Sequence, residues 1–351
     1  MKDEIYKVFK SYDIRGESPK VINVGFASAL GRAIVAARDP KHVMIGRDMR
    51  VTSPKLESSL IESLKEQGVN VTKVGLCTTP MFNILMGMAN GEYDLGVMIT
   101  ASHNPGEYNG FKFVTGEMLP LGLGSGLEEI RDNFESSHVA RPTSRVGEVQ
   151  EDFDALERYV EFVIEKVGLS EDVPEMKVVI DAGNGMAGHV LPRVLERLPW
   201  LKVERLYFEP DGNFPNHEAN PIKAETLEDL KQKVLETGAI MGIAFDGDGD
   251  RIGFVDELGE QIPGDILTAL FAGIELEKYG TGKVLFDVRS SWSVKDAIES
   301  AGGKAVFCKV GHANIKNQMR EVGAVFAGEL SMHYYFREFW NMDAGITRCW
   351  F

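Results

Sequence analysis

Short continuous apolar runs alternate along this chain with amphipathic stretches, and polar or glycine-containing turns separate them. The runs at 43–47, 178–181 and 284–287 have strand character, and each meets a polar turn. Each turn feeds a stretch of helical pattern, at 54–67, 188–198 and 293–301. A second apolar strand follows in every case, at 93–99 (its apolar part 95–99), 240–245 and 324–327. These second strands lead into polar loops at 100–105, 246–251 and 328–333. Alternating strand and helix implies parallel α/β units. The expectation is an α/β chain of three consecutive similar domains, with mixed, mainly parallel sheets. Polar loops at the carboxyl ends of strands are where open α/β sheets keep their chemistry, so the three loops are expected to share one central cleft.

The polar stretch 136–147, which contains Pro142, is expected to close the first domain near residue 150. The strand 252–255 ends the second, and the turns Glu257-Leu258-Gly259 and Pro263-Gly264 open the third. The expected domains are therefore 1–149, 150–255 and 256–351. Residues 122–126 carry three glycines and read as a flexible loop.

Length and composition narrow the classes. A chain of 351 residues is too long for one ordinary core, and 44% apolar with 26% charged residues is ordinary for a soluble globular protein. The formal net charge of −15 argues against a nucleic-acid partner, whose backbone needs a basic face. It leaves room for a small phosphorylated ligand, which needs only a local cluster of Arg and Lys. No stretch approaches the ~20 apolar residues of a membrane span, and the start lacks a secretory h-region. Cys77, Cys308 and Cys349 show no zinc or disulfide spacing. A cytoplasmic protein with no membrane or nucleic-acid partner is expected; oligomeric state is not readable from the sequence.

The richest chemistry lies in Thr100-Ala101-Ser102-His103-Asn104-Pro105, where a hydroxyl nucleophile and an imidazole stand side by side after a strand. Lys112, on the strand-like stretch Gly110-Phe111-Lys112-Phe113, is placed to reach back and hold phosphate charge. No Gly-x-Ser-x-Gly elbow surrounds Ser102, which weakens a hydrolytic triad. Asp246-Gly247-Asp248-Gly249-Asp250-Arg251 puts three carboxylates on a bendable loop, and like charges so close favour a bound cation. An EF-hand fails there, since Arg251 occupies the sixth position where glycine is required. Mg²⁺ fits better, with Arg251 adding positive charge beside it.

Gly183-Asn184-Gly185-Met186-Ala187-Gly188 matches the dinucleotide fingerprint, with Glu204 about 20 residues on, and would suggest an oxidoreductase. That reading leaves the other motifs unexplained, so a tight strand-to-helix turn is preferred. Gly328-Glu329-Leu330-Ser331-Met332-His333 offers a carboxylate, a hydroxyl and an imidazole; a carboxylate accepting from vicinal hydroxyls is a common sugar grip. His312, after Gly311, reads by itself as a structural histidine. Arg15, in Tyr12-Asp13-Ile14-Arg15-Gly16, suggests a loop folding over the site, and Arg289 ends the third-unit strand facing the same cleft.

Taken in order, the runs at 12–16, 100–105, 246–251 and 328–333 resemble the α-D-phosphohexomutases, the phosphomannomutase/phosphoglucomutase family. The resemblance extends from Phe9 to about Ile346. It implies an isomerase that moves phosphate between C1 and C6 of a hexose, with mannose and glucose phosphates as substrates. It implies that Ser102 is a phosphoserine, that a hexose 1,6-bisphosphate is the intermediate and activator, and that Ser102, Asp246, Asp248 and Asp250 hold Mg²⁺. Arg15, His103 and Lys112 would surround the phosphoryl group, and Glu329 and Ser331 would read sugar hydroxyls. Arg251 and His312 would line the cleft, with His333 a candidate for proton transfer.

The chain departs from the family at its end. Members carry a fourth domain whose Arg-Ser-Gly-Thr-Glu-Pro-like loop binds the distal phosphate, and no such run is present. The ending Thr347-Arg348-Cys349-Trp350-Phe351 does not resemble the family's continuing helix. The alternatives are therefore a truncated remnant that binds Mg²⁺ and phosphosugar with impaired turnover, and a phosphoglucosamine mutase. Leu330 stands where that second subgroup usually carries Gln, and Met332 where glycine or alanine is frequent. A phosphatase with an aspartate nucleophile is a further option.

Overall fold

The strand Leu95–Ile99 is buried along all five residues, as a continuous apolar run predicts for a strand covered on both faces. In the computed structural model, which describes residues 6–135, 145–168 and 173–348, it is β4 of a six-stranded sheet. The other strands are β1 (Ile14–Glu17), β2 (His42–Arg47), β3 (Asn70–Leu76), β5 (Tyr108–Thr115) and β6 (Val149–Glu151), in the order β1-β5-β4-β2-β3-β6. β4, β2, β3 and β6 run parallel, while β5 runs antiparallel to both its neighbours, β4 and β1. The helices α1 (Val24–Arg38), α2 (Ser53–Lys65), α3 (Thr79–Met88) and α4 (Leu127–Glu135) complete this part. Leu30 and Ile34 of α1, Leu60 and Leu64 of α2, and Leu127 and Ile130 of α4 form one core with Val43, Val97 and Phe111 of the sheet.

This sheet lies in a compact unit that ends at Leu156 and also takes in the segment Asp211–Pro215. The second unit holds two five-stranded sheets. One is built from β7 (Met176–Asp181), β8 (Leu201–Leu206), β9 (Met241–Phe245), β10 (Ile252–Asp256) and β11 (Gln261–Ile262), in the order β11-β10-β9-β7-β8. The other is built from β12 (Lys283–Asp287), β13 (Lys304–Cys308), β14 (Phe326–Gly328), β15 (Tyr334–Phe336) and β16 (Met342–Asp343), in the order β13-β12-β14-β15-β16. Its helices are α5 (Ala155–Val167, which starts at the junction), α6 (Ala187–Leu195), α7 (Glu228–Thr237), α8 (Gly264–Tyr279), α9 (Trp292–Ser300) and α10 (His312–Val322).

The repeat read from the sequence is therefore a repeat of topology. Each sheet contains a parallel trio followed by an antiparallel return strand: β3-β2-β4-β5, β8-β7-β9-β10 and β13-β12-β14-β15. In each, the motif loop joins the third strand to its antiparallel return. Three expectations need correction. Arg15 lies in strand β1, paired with Gly110 of β5, rather than on a covering loop. Edge pairing overrode the polar, glycine-bounded pattern. Residues 122–126 are a hydrogen-bonded turn rather than a loose one, because Glu128 accepts from the N–H groups of Gly124 and Gly126 at 2.9 and 3.2 Å. Tyr93 lies outside β4, its ring edge-on to His42 at 4.7 Å. Most of the polar stretch expected at the first boundary (136–144), and Cys349 to Phe351, lie outside the described residues.

A buried charge pair holds the loop after β4. Asp48 and Arg50 follow β2 with no side-chain exposure, and Arg50 Nε donates to Asp48 Oδ2 at 3.1 Å. Arg50 Nη1 donates to the carbonyls of Pro105 and Tyr108 at 2.6 and 2.9 Å. Nη2 donates to those of Ser102 and Asn104 at 2.7 and 2.5 Å. All five guanidinium hydrogens thus find acceptors, four of them on the serine loop and its exit. Asp48 Oδ1 accepts in turn from Ser53 Oγ at 2.6 Å, at the start of α2. Phe214, from the inserted segment, stacks over the guanidinium at 5.2 Å.

In the second unit, Asp181 ends β7 and anchors two neighbours. Its Oδ1 accepts from Gly183 N at 2.8 Å, and its Oδ2 faces His217 Nε2 at 2.9 Å. His217 Nδ1 faces the carbonyl of Glu218 at 2.9 Å. Both partners only accept, so the doubly protonated ring satisfies both. Burial disfavours that cation, but the Asp181 bond and charge outweigh it and hold the imidazole pKa above its ordinary value.

Two outcomes follow from these pairs. Arg50→Ala strips a buried carboxylate of its partner and costs about 3–5 kcal/mol, read as a lowered denaturant midpoint with the far-ultraviolet spectrum retained. A His whose folded pKa is raised adds stability below its ordinary pKa and loses it as pH rises through the folded value. The stability difference between the parent chain and His217→Gln, followed by urea unfolding from about pH 5 to about pH 9, is therefore largest at the acid end and shrinks upward.

Candidate functional site

Ser102 is buried and adopts a left-handed backbone, φ +53°, which is costly for a residue with a side chain and persists only where the surroundings enforce it. Its N–H donates to Thr100 Oγ1 at 2.9 Å, and its Oγ lies 3.1 Å from His103 Nδ1. Arg15 Nη1 donates to Asn104 Oδ1 at 2.6 Å, and its Nη2 pairs with Asp13. Lys112 is buried on β5, in register with Met98 near the end of β4. The first unit thus gathers Ser102, His103 and Arg15 around one short loop, with Lys112 on the return strand that follows it.

The second unit holds the carboxylates. Asp246, Asp248 and Asp250 are buried and can bring one oxygen each within 4.8 Å of one another. Asp246 Oδ1 accepts from Arg251 N at 3.1 Å, which closes the loop. Three buried carboxylates at this separation repel one another, and an all-oxygen donor set suits a hard divalent cation. The residues present therefore fit Mg²⁺.

The glycine fingerprint has a local explanation. A Cβ on Gly185 would lie 2.9 and 3.0 Å from the carbonyl oxygens of Gly247 and Asp246, and one on Gly188 would lie 2.1 Å from that of Phe208. Met186 N donates to the Gly247 carbonyl at 2.9 Å. Gly185 lets this turn press against the aspartate loop, and Gly188 lets it approach the Phe208 backbone.

The third loop meets the second within the same unit. Arg251 Nε donates to His333 Nε2 at 3.1 Å, which leaves the ring proton on Nδ1, facing Asp250 Oδ1 at 3.6 Å. The β10 and β15 hairpins are tied by Ile252 N donating to the Met332 carbonyl at 3.1 Å. His333 thus couples the aspartates to the loop of the third sheet.

Glu329 is buried, accepting from Gly311 N at 3.1 Å and from Tyr335 Oη at 2.6 Å. The nearby carboxylate and burial raise the Tyr335 phenol well above its ordinary pKa, burial contributing most. Arg289 pairs with Asp287 at 2.6 Å and reaches Ser331 Oγ at 3.4 Å. Leu330 N donates to the same Asp287 carboxylate at 3.0 Å. His312 opens α10, half-buried, next to the Gly311 N–H that Glu329 holds. Glu329, Ser331, Arg289 and His312 therefore form one rim, and Arg251 with His333 joins it to the aspartates.

Sequence reasoning passed over Asp48 and Arg50, which organise the serine loop, and Asp287 and Tyr335, which organise the third. The signal for the first pair was two opposite charges two residues apart, directly after the strand 43–47. For the second, a lone Asp closing an apolar strand marked the spot.

Comparison with known proteins agrees with this arrangement. Three family models match, the alpha/beta/alpha domains I, II and III of phosphoglucomutase/phosphomannomutase, over residues 6–139, 157–259 and 263–350. A protein named as phosphohexose mutases from Xanthomonas campestris is 40% identical over 341 residues, covering 96% of this chain and 74% of its own length. A phosphomannomutase/phosphoglucomutase from Pseudomonas putida is 40% identical over 348 residues, covering 97% and 72%. The crystal structure of a phosphoglucomutase/phosphomannomutase family protein from Burkholderia thailandensis superposes with a TM-score of 0.86 at 33% identity, covering 97% of this chain and 74% of that one. With its four motifs in order and one topology repeated three times, the chain belongs to the phosphoglucomutase/phosphomannomutase family.

Proposed function

We propose that this chain interconverts hexose 1-phosphate and hexose 6-phosphate, with mannose and glucose phosphates as substrates, through a phosphoserine at Ser102 and a bound 1,6-bisphosphate. The serine loop carries the proposal: a buried, backbone-strained hydroxyl, 3.1 Å from an imidazole, with Arg15 bonded to the loop and Lys112 on its return strand. Asp246, Asp248 and Asp250 would hold Mg²⁺; Ser102 as a further ligand rests on the family resemblance alone. When bound, Mg²⁺ offsets the negative charge of the phosphoryl oxygens.

Phosphoryl transfer passes through a loose transition state, so positioning and charge stabilisation supply most of the catalysis. The bond from phosphorus to Ser102 Oγ breaks as one forms to a free hydroxyl of the hexose monophosphate. The sugar hydroxyl gives up a proton, and Ser102 Oγ takes one up. His103 Nδ1 lies within reach of Ser102 Oγ. His333 is the candidate base toward the sugar, its Nε2 taking the proton on exchanging Arg251 Nε for the sugar hydroxyl. Arg15 and Lys112 hold the phosphoryl charge, while Glu329, Ser331, Arg289 and His312 orient the sugar. The bisphosphate then turns and returns its other phosphate to Ser102, with bonds and protons exchanged in the reverse sense. Water must be kept out throughout, because it would consume both phosphorylated species.

With Mg²⁺ and catalytic glucose 1,6-bisphosphate, the chain is expected to convert mannose 1-phosphate and glucose 1-phosphate to the 6-phosphates. Ser102→Ala abolishes this and also removes the added phosphate mass; turnover surviving in Ser102→Ala overturns the phosphoserine route. Asp248→Asn raises the Mg²⁺ concentration for half-maximal turnover by at least about tenfold, while Asp256→Asn, outside the aspartate loop, leaves it unchanged.

A further inference from the structure

Beside the serine loop, within the first unit, lies a cavity of about 390 Å³ whose lysines the proposed chemistry does not use. Among the described residues that line it, four are cationic, Lys7, Lys10, Arg15 and Lys20, against a single acid, Glu17. In a chain of formal net charge −15 this is a local inversion of sign. Lys20 pairs with Glu17 at 3.0 Å, and Arg15 is shared between Asp13 and Asn104. Lys7 and Lys10 are exposed, and among the described residues neither has an acidic partner. Their backbone is nonetheless anchored: Val8 and Phe9 are buried, Phe9 bridges to Ile14, and Lys10 N donates to the Asp13 carbonyl at 2.8 Å. Asn104 and Tyr108 add neutral polar groups to the wall.

A cavity of this size suits a small metabolite, and its excess of ammonium and guanidinium groups suits a dianion. Ser102 does not line it. We propose that it is a second phosphate site, holding the phosphoryl group of a free phosphate or a phosphate ester between Lys7 and Lys10, separate from the serine. Asn104 belongs both to its wall and to the serine loop, and Arg15, in the wall, donates to it at 2.6 Å, so an occupant there draws on the guanidinium proposed to serve Ser102. Phosphate bound in the cavity therefore slows chemistry at the serine without entering the serine site.

The test uses the full chain carrying Ser102→Ala, which removes serine phosphorylation and makes the outcome independent of the mutase proposal. Inorganic phosphate in one arm and glucose 6-phosphate in the other are followed by equilibrium dialysis at constant ionic strength. Saturable binding is expected, weakened about tenfold or more by Lys7→Gln with Lys10→Gln. Lys7→Arg with Lys10→Arg should restore it, and Lys295→Gln, at a remote exposed lysine, should leave it unchanged. Tighter binding in one arm identifies free phosphate or the ester as the occupant. Undiminished affinity in the Lys7→Gln/Lys10→Gln chain, or no saturable binding in either arm, overturns the proposal.

Discussion

The serine loop depends on one buried guanidinium. A chain that turns sharply through a left-handed serine points several carbonyls inward, where they cannot satisfy one another, and buried carbonyls without donors are costly. Arg50 answers four of them and uses its remaining hydrogen on Asp48. No other side chain offers five donors in a rigid plane. Lysine would bring three donors at a single point and leave carbonyls unmet. A buried ion pair by itself is weak evidence of stability; here its worth lies in fixing one geometry for residues 102–108.

The second unit solves the opposite problem. Its aspartate loop concentrates negative charge where burial makes charge expensive, and every neighbour reduces that cost. Backbone N–H groups close the loop, the glycine turn packs against its carbonyls, and Arg251 sets the tautomer of His333 beside Asp250. What looked in the sequence like a nucleotide-binding fingerprint is a packing requirement. Glycine appears wherever two backbones must approach, and a phosphate is only one reason for it.

The three sheets repeat one solution with different contents. A parallel trio delivers a loop at the carboxyl edge of its third strand, and the antiparallel return strand keeps that loop short and its backbone paired. Short, doubly anchored loops hold charged groups in place, which suits a reaction whose catalysis is mostly electrostatic positioning. Each loop is then stiffened by its own ion pair or carboxylate: Asp48–Arg50 for the first, Asp246 with the Arg251 backbone for the second, Asp287–Arg289 and Glu329–Tyr335 for the third.

The apolar runs determined by themselves that strands and helices alternate, because covering a parallel strand on both faces demands continuous hydrophobicity. They also marked where each strand ends and its loop begins. Ser102, the three aspartates, and Glu329 with His333 stood out in the sequence because each lies in a polar loop directly after an apolar strand, beside other groups able to carry chemistry. Tertiary structure alone decided which strands are antiparallel, since the pairing partner of an apolar run is not written in its pattern; Arg15 became an edge strand for this reason. It also decided that Arg50 serves the serine loop more than fifty residues away, and that Gly185 presses on Asp246. A guanidinium reads as a solvated charge until the fold brings four carbonyls to it, so such supports are decided by contacts between residues distant in the chain.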